Sequence, residues 1–71
     1  MGYSIGKAIR QRRKQLKITQ PHLSELADVS VNTITRIERE QVSPTLDIVA
    51  KIADVLGMEL RLVIKQNEMQ A

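Results

Sequence analysis

The sequence predicts a mainly α domain, four short helices followed by one strand-like segment. Three observations predict it. Four separate stretches space aliphatic residues as a helix does, and each follows a Ser or Thr able to cap it. From Met58 onward the apolar residues alternate instead, which is the period of a strand. Tyr3 is the one aromatic residue, so the core has to be built from aliphatic side chains.

Ser4 is placed to cap a first helix, in which Ile5, Ala8, Ile9 and Leu16 keep helical spacing up to about Lys17. Basic residues fill the positions between them. Thr19 caps a second helix, with Pro21 tolerated in the first turn because that N–H needs no partner within the helix. Leu23, Leu26 and Ala27 form its apolar side. Ser30 caps a third helix from Val31 to about Arg39, with Ile34 and Ile37 turned inward. Residues 41–44 read as a loop, since Pro44 disfavours helix at Ser43. Thr45 caps a fourth helix that ends at Leu56, before Gly57. Only Asp47, Lys51 and Asp54 interrupt its apolar surface, which predicts a central helix covered on most sides.

In residues 58–65, Met58, Leu60, Leu62 and Ile64 alternate with Glu59, Arg61, Val63 and Lys65. The segment reads as a strand, with a short fifth helix as the alternative. A lone strand leaves backbone N–H and C=O groups unpaired. No other stretch of the chain offers a partner, so the simplest one is the same strand of a second copy across a two-fold axis. Leu60, Arg61, Leu62, Val63 and Ile64 would carry that pairing. Residues 66–71 read as a flexible tail.

At 71 residues the chain is one domain close to the lower size limit of a self-sufficient core. With no cysteine, disulfides and thiolate metal sites are excluded. The lone His22 and the scattered carboxylates make a metal site, a cofactor or an enzymatic constellation unexpected. Apolar runs are too short to span a bilayer, no signal-peptide core follows Met1, and Gly6 stands where a myristoylation signal needs Ser or Thr. A soluble cytoplasmic protein without membrane contact is expected. The net charge is +3, and Lys7, Arg10, Arg12, Arg13, Lys14 and Lys17 precede the first acid, Glu25. That asymmetry suits either a solvated helix face or a phosphate-facing surface.

Residues 20–39, QPHLSELADVSVNTITRIER, space Leu23, Ala27, Val29, Ile34 and Ile37 so that two helices share one core across a turn. The small Ser24 sits where the helices approach. This is a helix-turn-helix pattern. Together with the first helix, IERE after the third, SPTL before the fourth and VLG at its end, it resembles the phage Cro/repressor-like (XRE) family over about Ile5 to Gly57. The resemblance implies a four-helix lambda-repressor-like domain over residues 1–57 that binds double-stranded DNA. The ending GMELRLVIK resembles the C-terminal strand of HipB-like antitoxin repressors, which implies a dimerisation strand at 58–65, a homodimer and a toxin as a further partner. Two positions depart from the pattern. Asp28 and Glu40 stand where the family commonly has glycine.

By resemblance, Val31, Asn32 and Arg36 match the main base-reading positions, and Thr35 shares their exposed face. The chemistry agrees: Asn can pair with adenine, Arg with guanine, and Val can touch a thymine methyl. Thr19, Gln20, Ser30 and Arg39 lie at helix ends where the family grips phosphates, and Thr33 is grouped with them; capping alone also explains Thr19 and Ser30. Arg13 and Glu38 match an ion pair tying the first helix to the third. The implied function is a sequence-specific DNA-binding repressor, homodimeric on a pseudo-palindrome. The alternative is an antitoxin that neutralises a toxin while regulating its own operon.

Overall fold

The computed structural model describes residues 4–65, and the expected tail at 66–71 lies outside them. Four helices follow in order: α1 (Ile5–Gln15), α2 (Gln20–Ala27), α3 (Val31–Glu38) and α4 (Leu46–Val55). α3 packs against both α1 and α2, and α4 packs against α2. Ile9, Leu23, Ala27, Ile34, Ile37, Ile52 and Leu56 form one buried aliphatic cluster, with Ile18, Val29, Ile48 and Val55 packed around it.

Local chemistry sets the helix starts. Thr19, Ser30 and Thr45 adopt extended backbone, and each hydroxyl accepts the N–H three residues on, from His22, Thr33 and Ile48. Ser4 is different, because its side chain makes no capping bond.

The helix ends share one device. After each helix a residue turns left-handed: Lys17 (φ 58°), Asp28 (φ 59°), Glu40 (φ 58°) and Gly57 (φ 72°). Behind α1, Lys17 N–H donates to Lys14 C=O at 3.0 Å and Ile18 N–H to Arg13 C=O at 3.2 Å. Glu40 and Gln41 repeat the pattern on Ile37 and Arg36, as do Gly57 and Met58 on Asp54 and Ala53. Glu40 thus takes the left-handed backbone that glycine adopts most easily. Lys17 does the same, which is why α1 stops at Gln15 rather than continuing to Lys17.

Several expected core positions are corrected. Ala8 and Leu26 are exposed, and Leu46 is 75% exposed. α4 buries only Val49, Ile52 and Ala53, so it is covered on one side rather than most. Its main helix neighbour is α2. Residues 58–65 form neither strand nor fifth helix in the single chain. A strand is defined by its ladder, and one chain supplies no second rung. Leu62, Val63 and Ile64 are left 103%, 80% and 87% exposed.

Gly6 sets how closely α1 and α3 approach. A Cβ built there would lie 2.0 Å from the Ile37 carbonyl oxygen, so no other residue fits without moving a helix.

Candidate nucleic-acid interface

α3 presents two kinds of surface. Ile34, Ile37 and Glu38 face the interior. On the other side Val31, Asn32, Arg36 and Arg39 are exposed and Thr35 is half-buried. At about 100° per residue, positions 31, 32, 35, 36 and 39 share a single arc of the helix. Among the described residues the Asn32 and Arg36 side chains take part in no hydrogen bond or ion pair.

Neighbouring polar side chains bond to one another. The Arg13 guanidinium donates to both Glu38 carboxylate oxygens, from Nε to Oε2 at 2.8 Å and from Nη2 to Oε1 at 2.9 Å. Its Nη1 also donates to the Ile18 carbonyl at 2.9 Å. The two side chains are 11% and 3% exposed, so this is a buried, bidentate pair joining α1 to α3. Burial alone pushes the Glu38 carboxyl up. Hydrogen bonds from Arg13 and Gln20, with the charges of Arg13 and Arg10, more than offset that and hold it below the usual carboxylate value. The hydrogen bond to Glu38 likewise raises Arg13 against the opposing effect of burial.

Gln20 extends the pair into a relay. Its Nε2 donates to Glu38 Oε1 at 3.0 Å, and its Oε1 accepts from the Thr35 hydroxyl at 2.9 Å. One of the two amide N–H groups is thereby engaged on Glu38, and the second is left to donate elsewhere. Ser30 and Thr33 are also paired: Ser30 Oγ accepts from Thr33 N–H at 3.1 Å and donates to Thr33 Oγ1 at 2.8 Å. Thr19 Oγ1 accepts from His22 N–H at 3.1 Å. Capping uses Thr19 and Ser30 as acceptors; the Ser30 proton is committed to Thr33, while the Thr19 and Thr33 hydroxyl protons remain available to an acceptor.

Beside Thr35 lies a cleft of about 260 Å³, lined by Arg10, Arg13, Lys14, Gln20, Thr35, Glu38 and Arg39. Four cations against one carboxylate leave it strongly positive. Arg10 and Lys14 stand four residues apart on one face of α1, a spacing visible in the sequence whose destination beside α3 was not. The role of Arg12 was not legible in the sequence either. Its Nε donates to the Leu56 carbonyl at 2.9 Å, tying α1 to the end of α4 rather than to a ligand. The proposed pairing residues Leu60, Arg61, Leu62, Val63 and Ile64 are all exposed and stand apart from this face in the chain.

The helix-turn-helix family model matches residues 9–63, most of the chain and all of the relay. The chain belongs to the helix-turn-helix family, of the Cro/C1 (XRE) type. It is 41% identical over 51 residues to an HTH-type transcriptional regulator of Methanothermobacter thermautotrophicus, covering 72% of this chain and 74% of that one. It is 30% identical over 64 residues to the immunity repressor of Bacillus phage phi105, covering 90% of this chain and 44% of the repressor. The Escherichia coli transcriptional regulator PuuR is 30% identical over 67 residues, with 94% of this chain and 36% of PuuR covered. The chain thus spans less than half the length of the phage repressor and of PuuR. No solved structure gives a significant match. Among the described residues no helix is long and apolar enough to cross a membrane, and no group of three potential metal ligands is present.

Proposed function

We propose that the protein is a sequence-specific double-stranded DNA-binding transcriptional regulator, acting as a repressor through the exposed face of α3. The observation that carries this is the division of labour on that helix. Polar groups facing the domain are bonded to one another, while Asn32 and Arg36 are exposed and uncommitted among the described residues. Both side chains suit bidentate contacts to purine edges in the major groove. Arg10, Lys14 and Arg39, which line the cleft beside Thr35, suit the flanking phosphates. Relatives named as a repressor and as transcriptional regulators support the reading.

A single α3 reads one half-site. The exposed, alternating 58–65 segment supports a homodimer in which Leu60 to Ile64 pair with a second copy, setting two α3 helices about 34–36 Å apart in successive major grooves. The same exposed segment suits a second reading, in which a toxin-like partner protein covers it and the chain serves as an antitoxin.

Selection of bound duplexes from a random pool tests the main reading. An enriched pseudo-palindrome with half-sites one helical turn apart is expected, with affinity falling steeply as salt rises. Recovery of unenriched sequences would refute it. Sedimentation of Leu62→Pro tests the dimer: proline removes a ladder donor and should yield monomers, and a variant still dimeric would exclude the strand pairing.

A further inference from the structure

Thr35 is held by a chain of hydrogen bonds with only one consistent direction. The Glu38 carboxylate, ionised against Arg13, can only accept. Its Oε1 lies 3.0 Å from the Gln20 amide, so the amide must turn its NH2 group that way. The reverse orientation would set two oxygens against each other with no proton between them. Gln20 then presents Oε1 to Thr35, and an amide oxygen also only accepts. The single hydroxyl proton of Thr35 is thereby committed at 2.9 Å to Gln20. What remains on Thr35 Oγ1 is lone pairs.

A threonine hydroxyl ordinarily rotates to meet either a donor or an acceptor. Here rotation would strand the Gln20 oxygen in a half-buried position and break the link from α2 to α3. Resting on the groove-reading function proposed above, we infer that Thr35 reads DNA as an acceptor only. It selects a base whose exocyclic amino group, N6 of adenine or N4 of cytosine, meets it in the major groove, and it rejects the keto edge of guanine or thymine at that point. Gln20 becomes a positioning residue that sets the polarity of the contact, and Arg13 with Glu38 anchors that polarity in the core.

Functional-group deletion in the DNA tests this. Selection with Thr35→Val, which keeps the shape and removes the oxygen, identifies the base pair whose preference depends on Thr35. Two altered duplexes follow: one replaces the amino-bearing base by purine or 2-pyrimidinone, which lack that group, and the other removes the keto oxygen of its partner. Loss of the amino group should weaken the parent about three- to tenfold relative to Thr35→Val, the worth of one hydrogen bond. Loss of the keto oxygen should affect the two proteins equally. Gln20→Met frees the Thr35 proton while leaving Glu38 its two bonds from Arg13, and should admit the keto edge at this pair. Circular dichroism checks that both variants fold. A parent weakened by keto deletion relative to Thr35→Val, or a Thr35→Val protein with unchanged base preference, overturns the inference alone. A parent with no sequence preference overturns it together with the proposed function.

Discussion

Removing one member of the Arg13–Glu38 pair should come close to unfolding the protein, and removing both should not. Glu38→Leu leaves the Arg13 guanidinium buried without its two carboxylate bonds and strips Gln20 of an acceptor. One-sided loss of a buried pair costs about 3–5 kcal/mol. At about 0.05–0.15 kcal/mol per residue, a chain of 71 residues has roughly 4–11 kcal/mol of total stability. The variant therefore sits near its unfolding midpoint at the low end of that range. Arg13→Met costs a similar amount by leaving the carboxylate stranded. The double variant replaces the pair by apolar side chains and should recover to within about 1–2 kcal/mol of the parent, so the two changes are strongly non-additive. Urea unfolding followed by far-UV circular dichroism gives all four corners of the cycle. Single losses below about 1 kcal/mol that simply add would show the pair to be as weak as a solvent-screened surface contact, and the reasoning from burial would fail.

Further expectations concern the same scaffold. Gly6→Ala should cost about 2–3 kcal/mol or more in thermal unfolding, because the new methyl meets the Ile37 carbonyl at 2.0 Å; a neutral substitution would mean that the helices are not this close. Glu40→Gly or Lys17→Gly should each add about 1 kcal/mol by relieving a left-handed backbone, raising Tm by about 4–8 °C, and an unchanged Tm would argue against that backbone. Glu38 is held below the usual carboxylate value, so its contribution is complete above the ordinary carboxylate range and is lost as pH falls through its depressed value. Stability should accordingly fall on acidification in the parent, and less so in the Arg13→Met, Glu38→Leu double variant.

The helices were legible because their signals are local. Thr19, Ser30 and Thr45 announce helix starts by capping an N–H three residues on, and Ile34 and Ile37 announce a buried face by spacing alone. What could not be read depends on distance through space. Nothing near Gly6 in the sequence shows that the Ile37 carbonyl lies against it, and nothing near Arg12 shows that it reaches Leu56. Leu26 and Leu46 carry the hydrophobicity of core residues but meet no neighbouring helix that covers them. The place of Gln20 at a helix start was visible in the sequence, and its bonds to Glu38 and Thr35 were not. The alternation at 58–65 predicts a strand that the structure does not form, because among the described residues no second strand lies beside it to complete a ladder.

The central claim is that α3 reads base edges rather than only following phosphates. Its most direct test compares Arg36→Ala with the parent on a selected operator and on random duplex at one fixed salt concentration. Loss of a bidentate base contact should cost about 1–3 kcal/mol on the operator, leave random-duplex affinity nearly unchanged and relax preference at one base pair per half-site. An equal loss on both duplexes would mean that Arg36 holds only phosphate and would contradict the account.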